Sequence, residues 1–406
     1  MVEIIFESVA DSVFAFFDRL QEKGINSISV SEKFRHVNNL FVQNILPNIS
    51  LYNIVKIIGE KAEIKIVLEN GELEQCTQQE SDFEKGINEY CRSKWYVDNL
   101  ENEISLANRV AEIYQYRKEC KKKLNSEDLL EERILEGAGT YFVSSEVVSY
   151  KRTLLIFHAY GVRATIWNPF VSLLNNQYRI ILFSPEHLEN TQNENTSMDG
   201  MVNNVTYICE KENIKTCHVL AWCSGAKLAT HFLLRNNIDL CRLTILSGNF
   251  STRNDSLSIL SDFEKGTDTL LSIPPNSNLE KTLKVYRVLN FKKTEREFWN
   301  SCLYYQNCLM RPYDDTANFI NYQRLHWIFS TYRYQEVNNY FHASIYNISG
   351  EFDIVSSKEN LKVVDRIFHN VAKLYLPLGS HWYLVENPIG LCILLHQIEY
   401  HKYEFE

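Results

Sequence analysis

A short apolar run that passes directly into a helical pattern constrains this chain more than any other feature. The run is Cys217-His218-Val219-Leu220-Ala221-Trp222, and an amphipathic helical pattern begins at Gly225. This arrangement is typical of a buried strand followed at once by a helix. Only Cys223 and Ser224 connect the two patterns, so the backbone must bend sharply there.

The steric requirements of this bend indicate which of the two connecting residues lies at the centre of the turn. Where a strand and a helix pass this closely, the residues two before and two after the central one must be small. Ala221 and Gly225 satisfy this around Cys223, whereas Trp222 would collide with the turn if Ser224 were central. We therefore predict that Cys223, rather than Ser224, lies at the centre of the turn and is the candidate nucleophile. The alternative reading of Cys223 is an inert, buried, small apolar residue.

Two later residues could activate the thiol of such a nucleophile. Asp353 follows directly after a strand pattern, and Glu351 and Asp365 are weaker candidates for the acid by position. His381 lies in the loop after the last strand pattern. We expect the acid to orient the histidine, which then takes the proton of Cys223.

The order nucleophile, acid, histidine, each at the end of a strand, resembles the α/β-hydrolase superfamily. A cysteine at this elbow is similar to that of poly(hydroxyalkanoate) synthases, some cysteine thioesterase domains and dienelactone hydrolase. Ala221 and Ala226 stand where the synthases have glycines, and the synthases' Asp-Trp-Gly loop is absent, so we do not predict a polymer synthase. The resemblance covers roughly residues 140–406 and implies an α/β fold, a mostly parallel sheet with helices on both faces.

The resemblance also implies an oxyanion hole. His158-Ala159-Tyr160-Gly161 follows a continuous apolar run at 153–157 and is similar to the His-Gly-x loop of these enzymes. The x residue of that loop supplies the second oxyanion N–H. The residue after the nucleophile supplies the first, so the resemblance implies that the N–H groups of Ser224 and Tyr160 hold the oxyanion.

Several residues near these loops are candidates for a substrate pocket. His158, Trp222 and Trp382 are the pocket candidates, although His158 is better explained as a structural histidine that hydrogen-bonds its own loop. Glu186 and His187, after the strand pattern at 178–183, could touch substrate or could simply be polar loop residues.

The predicted core is interrupted by an insertion and preceded by a separate region. About 95 residues lie between two successive strand patterns, where two to six would be usual. We predict a catalytic core at 140–249 and 344–406, a helical cap over the site at 250–343, and an N-terminal α+β and helical domain of unknown role at 1–135. The cap has helical patterns at 279–289, 294–305 and 316–334. Such a cap would bury substrate and exclude water.

The N-terminal region carries weaker structural signals and no catalytic motif. We predict a helix at 8–20, strands at 26–30 and over 54–68, an Asn70-Gly71 hairpin turn, and mostly helix at 78–135.

Composition limits the classes of partner. The net charge of −9 predicts no attraction to nucleic acid or acidic membranes, and no apolar run approaches the ~18 residues of a membrane span. The ten cysteines show no metal-type spacing, and the first residues lack a signal-peptide pattern. We predict reduced thiols in a cytoplasmic protein, with no bound cofactor or metal.

The predicted chemistry is covalent acyl transfer through a cysteine. A thiolate attacks a thioester or activated ester, and the acyl group passes to an amine, hydroxyl, thiol or water. Coenzyme A or a carrier protein could present such a substrate. An ester, lactone or carbon–carbon bond hydrolase on the same triad is an alternative, and a non-catalytic scaffold that binds a partner is a second. The acyl group, the acceptor and the oligomeric state stay open.

Overall fold

The structure is a computed structural model of the 406-residue chain. It describes residues 3–31, 50–69, 83, 94–96, 103–124, 129–136, 139–144, 152–174, 176–187, 197–252, 260–272, 308–309, 311–333, 343–356, 360–376 and 378–400.

The strands and helices follow one another in a largely alternating order. They are β1 (Glu3–Ile5), α1 (Phe6–Glu22), β2 (Ser27–Ser31), α2 (Leu51–Ala62), β3 (Lys65–Glu69), β4 (Lys94–Tyr96), α3 (Glu103–Lys123), β5 (Leu130–Leu135), β6 (Gly139–Ser144), β7 (Arg152–Phe157), α4 (Asn168–Leu174), β8 (Tyr178–Phe183), α5 (Met198–Lys211), β9 (Thr216–Trp222), α6 (Gly225–Arg235), β10 (Asp239–Leu246), α7 (Asp262–Leu271), α8 (Thr316–Thr331), β11 (Ser344–Gly350), α9 (Asn360–Ile367), β12 (Val371–Leu376), α10 (Tyr383–Glu386) and α11 (Pro388–Tyr400). Short 3-10 helices lie at Ala164–Trp167 and Arg311–Tyr313.

The chain forms two compact units. The terminal unit comprises Met1–Leu124, Ser349–Phe352 and Lys373–Glu406, and the central unit comprises Asn125–Ile348 and Asp353–Ala372.

These bounds differ from the predicted domains. The predicted boundary between 135 and 140 falls inside a hairpin, because β5 pairs antiparallel with β6. The last strand and helices of the predicted catalytic core belong to the same unit as the N-terminal region.

The central unit contains a mostly parallel sheet in the strand order β11-β10-β9-β7-β8-β6-β5. The strands from β11 to β8 are parallel, and β6 pairs antiparallel with both β8 and β5. This confirms the predicted α/β fold with a mostly parallel sheet. The strand patterns predicted at 153–157, 178–183 and 217–222 are all strands in the structure.

Burial explains why the middle strands read as continuous apolar runs. Leu154, Leu155, Ile156 and Phe157 of β7 are all buried, which requires protein on both faces of the sheet. Because the carboxyl ends of parallel strands meet at one edge, the loops that follow β7 and β9 lie close together.

The insertion is helical where the structure describes it. α7 and α8 lie within it, and α8 corresponds to the pattern predicted at 316–334. The patterns predicted at 279–289 and 294–305 lie outside the described residues. Within the described ranges, no helix has the combination of length and apolarity that a membrane crossing requires.

The terminal unit corrects one prediction. Residues 54–68, expected as strands, are mostly the helix α2 followed by the strand β3, which pairs in parallel with β2. The Ser50 hydroxyl accepts a hydrogen bond from Asn53 N–H at 3.2 Å and caps the helix. Leu51, Ile54 and Ile58 are buried at helical spacing. The helix predicted at 8–20 is confirmed within α1, whereas the expected hairpin at Asn70-Gly71 lies outside the described residues.

A buried charge network in the terminal unit joins α1 and α3 to the residue before α11. Arg117 of α3 donates to Asp11 of α1 at 2.8 Å and to Asn387, the residue before α11, at 3.0 Å. The Asn387 amide donates to the other Asp11 carboxylate oxygen at 2.6 Å. Asp18 pairs with the same guanidinium at 2.8 Å. Because Asp11 and Arg117 are buried, each charge depends on its partners.

Replacing Asp11→Ala should lower the free energy of unfolding by about 3–5 kcal/mol, because Arg117 and the Asn387 amide lose a buried partner. Urea denaturation measures this change. The matched control is Glu60→Ala, which removes an exposed i,i+4 pair with Lys56 and should change stability by no more than about 0.5 kcal/mol. Equal effects of the two substitutions would contradict a buried network that depends on Asp11.

Candidate active site

The turn between β9 and α6 has the geometry predicted for an elbow. Cys223 has a φ of 51°, in the left-handed region that L-residues rarely adopt. Its N–H donates to the Leu246 carbonyl at 3.1 Å, and its carbonyl accepts from Ala226 N–H at 3.1 Å and Asn249 N–H at 3.0 Å. The neighbouring strand and the helix thus hold the strained residue in place.

The small residues around this turn are required by a close approach of the backbone. A Cβ atom added to Gly225 would lie 2.2 Å from the Phe157 carbonyl oxygen and 2.7 Å from that of His158. Ala221, on the other side of the turn, is fully buried. The size requirement that selected Cys223 over Ser224 is therefore present in the structure.

The two predicted oxyanion residues lie side by side. The backbone N–H of Tyr160 donates to the Ser224 hydroxyl at 3.1 Å. Ser224 is buried and begins the first turn of α6, while the Cys223 side chain keeps partial exposure. The structure thus brings Tyr160 to the elbow, and the oxyanion role of both residues stays a prediction.

Internal contacts fix the loop that carries Tyr160. The N–H of Gly161 donates to the Glu186 carboxylate, which also forms an ion pair with Arg311 at 2.8 Å. Burial raises the pKa of Glu186, and Arg311 acts in the opposite direction. Arg311 also lies 3.4 Å from Nε2 of His187, whose pKa is lowered to about 4 by burial and then by Arg311. The polar contacts of Glu186 therefore support the loop that carries Tyr160.

His158 and Trp222 are internal to the protein. The indole N–H of Trp167 donates to His158 Nδ1 at 2.9 Å, so His158 Nε2 carries the proton and donates to the Val162 carbonyl at 2.7 Å. Trp222 is fully buried and stacks on the His158 ring, with 5.7 Å between centroids. These are the contacts of a structural histidine, and a pocket role for either residue stays a prediction.

Asp353 lies in the central unit, in the turn after β11. Its carboxylate accepts hydrogen bonds from the backbone N–H groups of Val355 and Ser356, both at 2.9 Å. The Ser356 hydroxyl in turn donates to the Ser247 carbonyl at the end of β10 at 3.1 Å. The Asp353 carboxylate is therefore fixed at the carboxyl edge of the sheet, and its role as the acid stays a prediction.

His381 is buried in a loop of the terminal unit. The loop packs on the end of β11, since a Cβ atom at Gly350 would lie 2.5 Å from the Gly379 carbonyl oxygen. Phe352 N–H, one residue before the predicted acid, donates to that carbonyl at 2.8 Å. Trp382 makes an edge-on contact with the His381 ring at 5.2 Å and is partly exposed. The three-residue triad and the pocket role of Trp382 stay predictions.

Glu386 determines the conformation of the histidine loop. Its carboxylate accepts from the N–H of Ser380 at 3.1 Å and also from the Ser380 hydroxyl. That hydroxyl accepts from Trp382 N–H at 3.0 Å. His381 is thus held between two residues whose backbone positions are fixed.

The helix α8 covers the oxyanion loop. The rings of Phe329 and Tyr322 lie 5.0 Å and 5.5 Å from the Tyr160 ring, measured between centroids. Buried Lys227 of α6 donates to the Phe329 carbonyl at 2.6 Å and to the Ser251 carbonyl at 2.5 Å. The described part of the insertion thus packs on this loop, and its role as a cap over the site stays a prediction.

Sequence reasoning missed two side chains beside the site. Lys227 was not singled out, although a lysine among the apolar residues of an elbow helix is an unusual signal. His326 was not singled out either, and its Nδ1 lies 2.9 Å from the Tyr160 hydroxyl. Its spacing from Tyr322 and Phe329 on α8, four before and three after, would have placed all three on one helix face.

Comparison with known proteins defines the fold class. No protein-family model matches the sequence, and no curated protein matches it. Among solved structures, similarity extends to an epoxide hydrolase of the α/β-hydrolase superfamily from hot-environment metagenomes (TM-score 0.50, 11% identity, 66% of this chain and 98% of the other). A hydrolase from Oleispira antarctica is also similar (TM-score 0.51, 14% identity, 64% and 94%), as is the Cfl2 protein of Burkholderia cenocepacia (TM-score 0.50, 14% identity, 66% and 95%). The chain therefore has the α/β-hydrolase fold.

Gly225→Ala should disrupt the elbow, because the added methyl group meets the rigid Phe157 carbonyl rather than a flexible side chain. We expect a loss of about 1–3 kcal/mol in the free energy of unfolding, typical of overpacking, measured by chemical denaturation. Gly266→Ala is the control, since its Cβ meets nothing within 4 Å in α7. It should gain up to about 1 kcal/mol. A neutral Gly225→Ala protein would contradict the close approach.

Acid should destabilise the protein through His158. Burial lowers the pKa of His158 to about 3, from an ordinary value near 6.5. Between these values the unfolded chain binds a proton that the folded chain excludes, so stability is lost as the pH falls from 6.5 toward 3. His158→Phe should reduce the slope of unfolding free energy against pH by about 1.4 kcal/mol per pH unit in this window. Denaturation at several pH values tests this, and an unchanged slope would show that another group is responsible.

Proposed function

We propose that this protein processes acyl thioesters through a covalent acyl-cysteine on Cys223, as a thioesterase or acyltransferase. The observation that carries the proposal is the strained, left-handed Cys223 at the strand-to-helix turn. Such strain costs about 1–3 kcal/mol and persists only where the surrounding structure imposes it. An inert core cysteine needs no such conformation, whereas a nucleophile gains exposure at the end of the strand.

In the proposed first half-reaction, His381 oriented by Asp353 takes the Cys223 proton. The sulfur attacks the acyl carbon, and the carbonyl oxygen becomes an oxyanion. This oxyanion accepts hydrogen bonds from the backbone N–H groups of Ser224 and Tyr160. For the oxyanion to enter, the Ser224 hydroxyl must leave its hydrogen bond with Tyr160 N–H. The carbon–sulfur bond to the leaving thiol breaks, and His381 returns the proton to that thiol.

The cap and the nucleophile favour transfer chemistry over plain ester hydrolysis. An acyl-cysteine is a thioester and stays reactive toward amines and thiols. The rings of α8 that pack on Tyr160 restrict the access of water to this side of the elbow. Coenzyme A or a carrier protein is the proposed donor, and the described free thiols support a reducing, cytoplasmic location.

Intact-protein mass spectrometry with a panel of acyl-thioesters tests the proposal. Wild-type protein should gain the mass of one acyl group, and Cys223→Ala should gain none. Cys223→Ser should gain the group slowly, or retain it as a more stable oxygen ester. Cys241→Ala is the matched control, because Cys241 is an exposed thiol on β10 and its removal should leave the adduct intact.

Three outcomes would contradict the proposal in different ways. An adduct that survives in Cys223→Ala assigns the reaction to another residue. An adduct that water alone removes, with ester or lactone substrates preferred, favours the plain hydrolase. Identical turnover by wild type, Cys223→Ala and His381→Ala favours a non-catalytic scaffold.

A further inference from the structure

A second chain of hydroxyl, imidazole and carboxylate lies beside the elbow. His326 of α8 has Nδ1 at 2.9 Å from the Tyr160 hydroxyl and Nε2 at 3.1 Å from the Asp268 carboxylate of α7. An ionised carboxylate only accepts, so Nε2 carries the proton of the neutral ring. Nδ1 therefore accepts, and the Tyr160 O–H donates to it. This orientation leaves the lone pairs of the Tyr160 oxygen available for another donor.

The residue that carries this hydroxyl also contacts the elbow through its backbone. The backbone N–H of Tyr160 donates to the hydroxyl of Ser224, the residue after Cys223. Burial raises the pKa of the Tyr160 hydroxyl, and the Cys223 thiol is the next largest influence in the same direction. A tyrosine in this setting stays neutral, so it can pass a proton from one side to the other but does not hold a negative charge.

We propose that Tyr160, His326 and Asp268 form an acid–base relay for the acyl acceptor in the second half-reaction. The inference rests on the proposed acyl-cysteine at Cys223 and assigns to these residues the step that removes it. It gives the cap a part in the chemistry beyond covering the site, because two of the three residues come from cap helices.

The proposed step balances as a proton transfer coupled to acyl transfer. The acceptor, an amine, alcohol, thiol or water, forms a bond from its heteroatom to the acyl carbon. Its proton passes to the Tyr160 oxygen as the Tyr160 proton passes to His326 Nδ1, and the Asp268 carboxylate stabilises the resulting imidazolium. The carbon–sulfur bond breaks with its electron pair on Cys223. The relay then runs in reverse and returns one proton to the thiolate.

A second set of hydroxyl, imidazole and carboxylate, at the C-terminal end of α8, separates this role from simple attachment of the cap. His231 of α6 contacts the Tyr332 hydroxyl through Nδ1 and the Asp199 carboxylate through Nε2, the latter at 2.6 Å. Arg235 also binds Asp199, at 2.7 Å, and both of these side chains are exposed. This second chain attaches the C-terminal end of α8 to the core at the protein surface. It has the same chemical groups as the first and serves as its control.

The experiment follows acylation and deacylation separately in Tyr160→Phe, which keeps the ring that packs on Tyr322 and Phe329 and the backbone N–H. The enzyme is mixed with the acyl-thioester that gave the adduct, and intact mass is recorded over time with and without an added amine or thiol acceptor. We expect acylation near the wild-type rate and deacylation slower by about 100-fold, so that acyl-Cys223 accumulates. His326→Gln should act in the same way, and Tyr332→Phe should deacylate like wild type.

The outcomes are distinguishable. Wild-type deacylation by both Tyr160→Phe and His326→Gln would overturn the relay while leaving the acyl-cysteine intact. Equal slowing in Tyr160→Phe and Tyr332→Phe would overturn it in favour of cap attachment. The absence of an adduct in wild type and every variant would overturn the acyl-cysteine, and the relay with it.

Discussion

The contact on which the site depends is the approach of the α6 backbone to the carboxyl end of β7. Gly225 lies so close to the Phe157 carbonyl that no side chain fits between them. The same approach forces Cys223 into a left-handed conformation at the end of β9. It also determines the position of the loop after β7, and through it the position of Tyr160 N–H beside Ser224. A single steric constraint thus locates both the thiol and its neighbouring donors.

The surroundings of the elbow combine rigid supports with groups that can exchange protons. The buried carboxylate of Glu186 contacts Arg311, the Gly161 N–H and the Ser184 hydroxyl, and the buried Lys227 ammonium donates to two backbone carbonyls. Glu186 fixes the loop that carries Tyr160, and Lys227 fixes the C-terminal end of α8. By contrast, His326 connects a hydroxyl to a carboxylate, an arrangement that can accept and release a proton without moving. The cap therefore contributes both shape and chemistry in the proposed mechanism.

Much of the core could be predicted because its signals are local. Short, continuous apolar runs such as 153–157 are typical of buried strands, and the spacing of Ala221, Cys223 and Gly225 is typical of the elbow. The helix α2 was missed because Ile54 and Val55, followed by Ile58, are β-branched and suit either a strand or a helix. Here the Ser50 cap and the burial of one face decided for the helix.

Contacts between residues distant in sequence could not be predicted in this way. Asp11 and Asn387 are 376 positions apart, and nothing in the local pattern of either residue indicates the other. The contact between His326 and Tyr160, which are 166 positions apart, could not be predicted for the same reason. These pairs are determined by how the helices pack, which hydrophobic periodicity along one segment does not specify.

The central claim is that Cys223, and no other thiol, forms the covalent intermediate. The most direct measurement is peptide mapping of wild-type protein quenched within one turnover of an acyl-thioester, with the occupancy of every cysteine compared. The account predicts that the acyl group is found on the peptide containing Cys223 and that exposed Cys241 stays essentially unmodified. Comparable occupancy of the two thiols, or acylation confined to a different residue, would contradict it.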